Sequence, residues 1–190
     1  MNNMLLNNKK VLILEQFVLD YDTKKYGRDI AKRLKLNQKT VANMLNELER
    51  EDILKYSREG KNKYYFLNKL NPHIREIIKL VEVGRKIRFL EKNSKLKDLF
   101  NKLEERASGM VLIFGSYASG KSNDKSDLDV FVIGSIKDIK DLEDLYNIKI
   151  NIVKSIKNKF DKNEIFINEI IKNHIILKGI EEYIGLAWQA

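Results

Sequence analysis

Two aspartates one residue apart, Asp127 and Asp129, end a polar loop and open an apolar run that continues through Val130, Phe131, Val132 and Ile133. In extended chain, residues two apart point the same way, so both carboxylates leave one face. Neighbouring carboxylates repel, and the arrangement is costly unless a cation lies between them. Hard oxygen ligands of this kind favour Mg²⁺ or Mn²⁺. Upstream, the apolar run Met110–Phe114 ends in Gly115–Ser116–Tyr117–Ala118–Ser119–Gly120, a turn of small residues. The whole reads G-S-x10-D-x-D. A surface loop with a coincidental Asp pair is the plain alternative, but the apolar periodicity on both sides of the loop speaks against it. Lys121 and Lys125 offer charge that could neutralise phosphate, although a flexible loop lysine is more often solvated. His73 and His174 lie far apart without partner spacing, and neither is read as catalytic.

Taken together, the strand, the Gly-Ser turn, the spacing and the D-x-D resemble the nucleotidyltransferases of the polymerase-β-like fold, over about residues 94–186. Ser126–Asp127–Leu128–Asp129 after that turn is similar to the minimal, antitoxin-type members. The resemblance implies that Gly115 and Ser116 bind the β- and γ-phosphates of a nucleoside triphosphate and that Asp127 and Asp129 hold the metals. It also implies a third carboxylate on the next strand. That strand is read at Ile148–Val153, after a helix from Lys137 to Tyr146, and the matching position is Asn151. A carboxamide can lend an oxygen to a metal but accepts no proton at neutral pH. Two readings follow: a working transferase in which water, substrate or a flanking carboxylate (Asp144 or Asp161) takes the proton, or a domain that binds nucleotide and metal as a sensor. A helix at Glu164–Asn173 and a strand at Ile175–Gly179 complete the expected domain.

The elements before this segment carry a different signal. Val11, Leu12, Leu14, Phe17 and Val18 recur at helical spacing within Lys9–Asp20, and a short helix is expected over Gly27–Leu34. After the turn Lys35–Asn37, Asn37 is a plausible cap for a helix Gln38–Glu51 with Val41, Met44, Leu45 and Leu48 on one side. Strand-like runs Ile53–Arg58 and Lys63–Leu67 flank Glu59–Gly60–Lys61–Asn62, a hairpin tip. Over residues 9–68 this order resembles the winged-helix DNA-binding family. The resemblance places Gln38, Lys39, Thr40 and Asn43 where side chains reach base edges, and Arg58, Lys61 and Lys63 on a wing that meets phosphates. The alternative is a dimerisation or docking module with a solvated basic face. Glu47, Glu49 and Glu51 make the far end of the recognition helix acidic.

Between the two parts, Asn71 and Pro72 open an expected amphipathic helix to about Glu91, carrying Ile74, Ile77, Ile78, Val81, Ile87 and Leu90. A second helix is read at Ser94–Arg106. A long helix of this kind either pairs with a second copy, giving a homodimer, or packs back on its own winged helix.

Charge follows the same division. Residues 1–70 hold 15 Lys and Arg against 9 Asp and Glu, residues 71–106 hold 10 against 6, and residues 107–190 hold 11 against 12. A basic front and a near-neutral back suit a front that meets a polyanion, although lysine-rich composition alone produces similar counts. The absence of cysteine excludes disulfides and thiolate metal sites. No run of 18 apolar residues is present, and Met1–Asn8 lacks the pattern of a signal peptide, so a cytoplasmic protein without a membrane span is expected.

The expected fold class is α+β, with a winged-helix domain at 1–70, a helical connector at 71–93, and a polymerase-β-like nucleotidyltransferase domain with a small mixed sheet at 94–190. The expected function is DNA binding together with transfer of AMP from Mg-ATP to a protein hydroxyl, such as that of a cognate toxin, in an antitoxin-like role. The alternatives are a transcription regulator whose degenerate transferase domain senses nucleotide or dimerises, and nucleotidyl transfer to a small molecule.

Overall fold

In the computed structural model, residues 9–189 are described, and the reading of Met1–Asn8 falls outside them. The chain divides into two compact units between Val81 and Glu82.

The first unit is a winged helix-turn-helix. Helix α1 spans Lys9–Val18, β1 Lys25–Tyr26, α2 Gly27–Leu34 and α3 Gln38–Arg50. Strands β2 (Leu54–Glu59) and β3 (Asn62–Leu67) form the wing. The turn between α2 and α3 is set by Lys35 in the left-handed region, with φ 54°. The Asn37 side chain then accepts from the Lys39 N–H at 2.8 Å, a cap that contributes about 1 kcal/mol. Val41, Leu45 and Leu48 on α3 are buried with Ile13 and Phe17 of α1 and Ile30 and Ala31 of α2. The far end of α3 is less anionic than its sequence suggests, because Lys10 of α1 reaches Glu47 at 2.9 Å and Glu51 at 2.8 Å.

Strand β1 was not foreseen. Two residues carry no periodicity, yet Lys25 and Tyr26 pair antiparallel with Tyr65 and Tyr64 and make the wing three-stranded, in the order β1-β3-β2.

Helix α4 runs unbroken from Ile74 to Lys92. The helix starts later than expected, since Pro72 and His73 form a turn before it, in which the Asn71 side chain accepts from the His73 N–H at 2.8 Å. In the second unit, a 3-10 turn at Ser94–Leu96 leads into α5 (Lys97–Arg106). Then come β4 (Ala107–Phe114), the short α6 (Gly115–Ala118), β5 (Leu128–Ile136) and α7 (Lys140–Tyr146). Strand β6 (Ile150–Ser155), α8 (Ile165–Lys172), β7 (Ile175–Lys178) and α9 (Ile180–Gln189) complete it.

The sheet is mixed, in the order β6-β5-β4-β7, with β5 and β6 parallel and the other pairs antiparallel. A parallel pair needs a crossover, which α7 supplies. Side chains alternate accordingly. Leu128, Val130 and Val132 of β5 pack with Leu99, Phe100 and Leu103 of α5 and Leu142 of α7. The opposite face carries Asp129 and Phe131, with Phe131 close to Phe160 and Phe166. Strand β4 begins three residues before its expected apolar run because its register with β5 continues to Ala107↔Ile136. Helix α9 was also unforeseen; its Tyr183 and Ile184 are buried.

One buried polar group sits apart from this apolar pattern. Glu82 and His174 are both fully buried. Arg85 reaches Glu82 at 2.7 Å and donates to the His174 carbonyl at 2.5 Å. The His174 ring lies 3.4 Å from Glu82 and 3.2 Å from the Tyr183 hydroxyl. Its place is structural, holding α4 to the start of β7.

Candidate functional site

The parallel register of β5 and β6 sets Asp129 directly beside Asn151. The Asn151 amide donates to Asp129 Oδ1 at 3.1 Å and to Asp127 Oδ2 at 3.3 Å. Asp127 precedes the strand by one residue, and its side chain is 40% exposed. The three residues read from sequence are therefore one cluster at the N-terminal ends of the two parallel strands. Sequence reading missed Lys149, whose Nζ lies 3.2 Å from Asp127 Oδ2. The signal was available, since Lys149 stands two residues before Asn151 and a strand repeats every two residues.

Gly115, just after the neighbouring strand β4, lies against one of these carboxylates, Asp129. Its φ is +68°, and a Cβ built there would lie 2.4 Å from Asp129 Oδ2. Only glycine fits a left-handed residue at that distance. The expected turn is in fact the short helix α6, in which Ser116 follows Gly115. Asn173, also unforeseen, donates to the Gly115 carbonyl at 3.1 Å and fixes the turn from the end of α8.

This arrangement fits a hard divalent cation. Two carboxylates face one solvent-accessible point, and the groups now turned toward them are donors, the Asn151 amide and the Lys149 ammonium. The Asn151 carboxamide carries an oxygen on the same carbon, so a half-turn presents a ligand instead of a donor. Among the described residues no cluster of three or more His, Cys, Asp or Glu could hold a metal. Two carboxylates are enough for Mg²⁺ when substrate phosphates complete its shell.

In the first unit, Gln38, Lys39 and Asn43 are exposed on α3, and Thr40 is half-buried. Arg58 and Lys63 sit opposite one another in the wing, with Lys61 at its tip. The Lys63 ammonium lies 4.1 Å from the centre of the Tyr56 ring. A groove of about 430 Å³ between α2, α3 and β3 brings Gln38, Lys39 and Lys63 together with Tyr26 and Arg28. Thr40, Asn43, Arg58 and Lys61 do not line it.

Residues 94–183 match the family described as polymerase beta, nucleotidyltransferase. Curated proteins give no match. Among solved structures, one similar chain is the homodimeric winged helix-turn-helix DNA-binding domain of Mb0332 from Mycobacterium bovis, described as a possible ArsR-family transcriptional regulator. It is 23% identical, with a TM-score of 0.34, over 42% of this chain and 68% of that one. Another is a toxin–antitoxin crystal structure with AMP-PNP, 16% identical, with a TM-score of 0.38, over 48% of this chain and 78% of that one. With the Gly115 turn, the paired aspartates and the family match in one place, residues 94–183 are a nucleotidyltransferase domain of the polymerase beta family.

Proposed function

We propose that this chain transfers a nucleotidyl group, AMP from ATP, to a hydroxyl of a partner protein, in an antitoxin-like role, and that its winged helix binds DNA. The observation that carries the transferase reading is the meeting of Gly115, Asp127, Asp129 and Asn151 at one sheet end. In this reading the Gly115–Ser116 turn holds the β- and γ-phosphates through backbone N–H groups and the Ser116 hydroxyl. Asp127 and Asp129 hold Mg²⁺ or Mn²⁺, which when bound offsets triphosphate charge and polarises the α-phosphorus. The acceptor oxygen bonds to the α-phosphorus, the bond from that phosphorus to the β-bridging oxygen breaks, and pyrophosphate leaves. The hydroxyl proton passes to water, because Asn151 cannot take it. Asn151 instead aligns both carboxylates.

The DNA-binding reading is supported by the exposed α3 residues and the cationic wing. The setting we propose is the cytoplasm, where ATP and DNA are both at hand; no described helix is long and apolar enough to cross a membrane. Labelled ATP, Mg²⁺ and the product of the neighbouring gene should leave label on that protein. Absence of label there, with Mg-ATP still bound, favours the second reading of a nucleotide-sensing regulator, to which the missing third carboxylate already points.

A further inference from the structure

Asp127 and Lys149 stand across from one another just before β5 and β6 begin. The parallel register pairs Leu128 with Ile150 and Asp129 with Asn151. The Leu128 N–H also donates to the Lys149 carbonyl at 2.8 Å, so the pairing reaches back to Asp127 and Lys149. Side chains two apart share a face, and each aspartate therefore has a donor opposite it. The Asn151 amide lies 3.1 Å from Asp129, and the Lys149 ammonium 3.2 Å from Asp127.

The two donors differ in what they do toward a cation. A carboxamide turns and presents its oxygen, whereas an ammonium carries donors only. Lys149 thus competes with a divalent cation for Asp127, and like charge drives it off when one binds. It is free to swing, since its side chain is 69% exposed on a flexible four-carbon stem. The strand order β6-β5-β4 sets Lys149 on one side of the acidic pair and the Gly115 turn on the other. With the β- and γ-phosphates at the Gly115 turn, as in the transferase reading above, the β6 side faces the oxygens of the α-phosphate.

We propose that Lys149 is the acidic pair's own counter-ion until metal and triphosphate bind, and that it then passes from Asp127 to a non-bridging oxygen of the α-phosphate. There its positive charge lies against the group under attack, where a fixed charge favours the transition state. The ammonium resists a metal that comes alone and has a new anionic partner when the metal comes with triphosphate, so metal and nucleotide enter together. This rests on the transferase reading.

The test uses the full chain. Mn²⁺ binding without nucleotide is followed by electron paramagnetic resonance, and affinity for α,β-methylene-ATP with Mg²⁺ by calorimetry; label transfer from ATP is scored separately. Lys149→Ala should tighten Mn²⁺ binding about threefold or more and weaken the Mg²⁺–analogue complex about fivefold or more. Lys149→Arg keeps the charge and should stay within about twofold of the parent in both. Lys154→Ala removes the same charge from an exposed position further along β6. That position is roughly 16 Å away at the usual rise of a strand and beyond the screening length of about 10 Å in 0.1 M salt, so both affinities should again hold within about twofold. The proposal is overturned if Lys149→Ala leaves either affinity unchanged, if both move in the same direction, or if Lys154→Ala reproduces the shifts. In those cases a parent protein that still transfers label keeps the transferase reading without Lys149. Opposite shifts with no labelled acceptor support the Lys149 exchange and remove the transferase reading, and a parent that binds neither Mn²⁺ nor the analogue overturns both.

Discussion

Asp129 and Asn151 face each other across the parallel strands β5 and β6, and the Asn151 amide donates to the Asp129 carboxylate at 3.1 Å. The carboxamide thus offsets, without metal, the repulsion that two neighbouring carboxylates would otherwise feel. Asn151→Asp is nearly isosteric and replaces donors with a third negative charge. Its melting temperature should drop in EDTA and recover with Mg²⁺. If the domain is a sensor that lacks only a base, nucleotidyl transfer should rise by about a hundredfold or more. If it is an adapted enzyme, the parent protein already transfers and the gain is small. A variant that alters neither transfer nor Mg²⁺-dependent stability would show that Asn151 has no part in the site.

Asp127→Asn and Asp129→Asn each remove one charged oxygen ligand. ATP with Mg²⁺ should raise the melting temperature of the parent protein through linkage, and this Mg²⁺-dependent increment should vanish in both variants. Metal-free stability should hold or fall slightly, since the Asn151 amide and Lys149 already offset the carboxylate repulsion. Equal ATP affinity in EDTA and in Mg²⁺ for the parent protein would rule out a metal–nucleotide site here.

Gly115 is constrained twice, by a φ of +68° and by Asp129 Oδ2 2.4 Å from where a Cβ would stand. Gly115→Ala should cost about 1–3 kcal/mol, the usual range for a residue held in a sparsely populated backbone region. It should also displace Asp129 and lower Mg-ATP affinity more than Ser116→Ala does. Calorimetric titration of the two variants side by side checks the order.

For DNA, replacing Arg58, Lys61 and Lys63 with Ala should weaken binding to every sequence alike and flatten the salt dependence by a few units of slope at most. Gln38→Ala or Asn43→Ala should instead alter sequence preference. Lys63 is expected to contribute least of the three wing cations, because its ammonium is already held over Tyr56. Salt-independent binding by the full chain would sink the wing assignment.

Burial pushes the Glu82 carboxyl up, but Arg85 and His174 together outweigh it and hold the group below the usual carboxylate range. A carboxyl whose folded pKa is depressed stabilises the fold above its unfolded pKa and loses that contribution as pH falls through the folded value. Glu82→Gln leaves Arg85 with no anion and should cost about 3–5 kcal/mol at neutral pH. The deficit should shrink on acidification, as the parent glutamate also becomes neutral. Denaturant melts of both proteins across the acid range measure it; a deficit independent of pH would mean that the charge is not what matters.

Much of the molecule was legible in local pattern. Val41, Leu45 and Leu48 at helical spacing placed α3, Asn37 capped it as its type suggests, and Gly60 turned the wing. The D-x-D and Gly-Ser spacing pointed to Gly115, Asp127 and Asp129, which the structure brings to one sheet end because each lies next to an apolar strand. Elements without local signal escaped. Strand β1 has two residues and exists only through its pairing with β3. His174, spaced from no partner in sequence, joins Glu82 across 92 positions only once α4 and β7 have packed. Lys149 and Asn173 carry roles that depend on which strand and which turn fold against them. By itself, then, the sequence determined the two kinds of domain and the identity of the acidic pair, since periodicity and turn chemistry are properties of short segments. Tertiary structure alone decided that Asn151 hydrogen-bonds both aspartates and that Gly115 touches one of them, because those distances arise from strand register, which only long-range pairing sets.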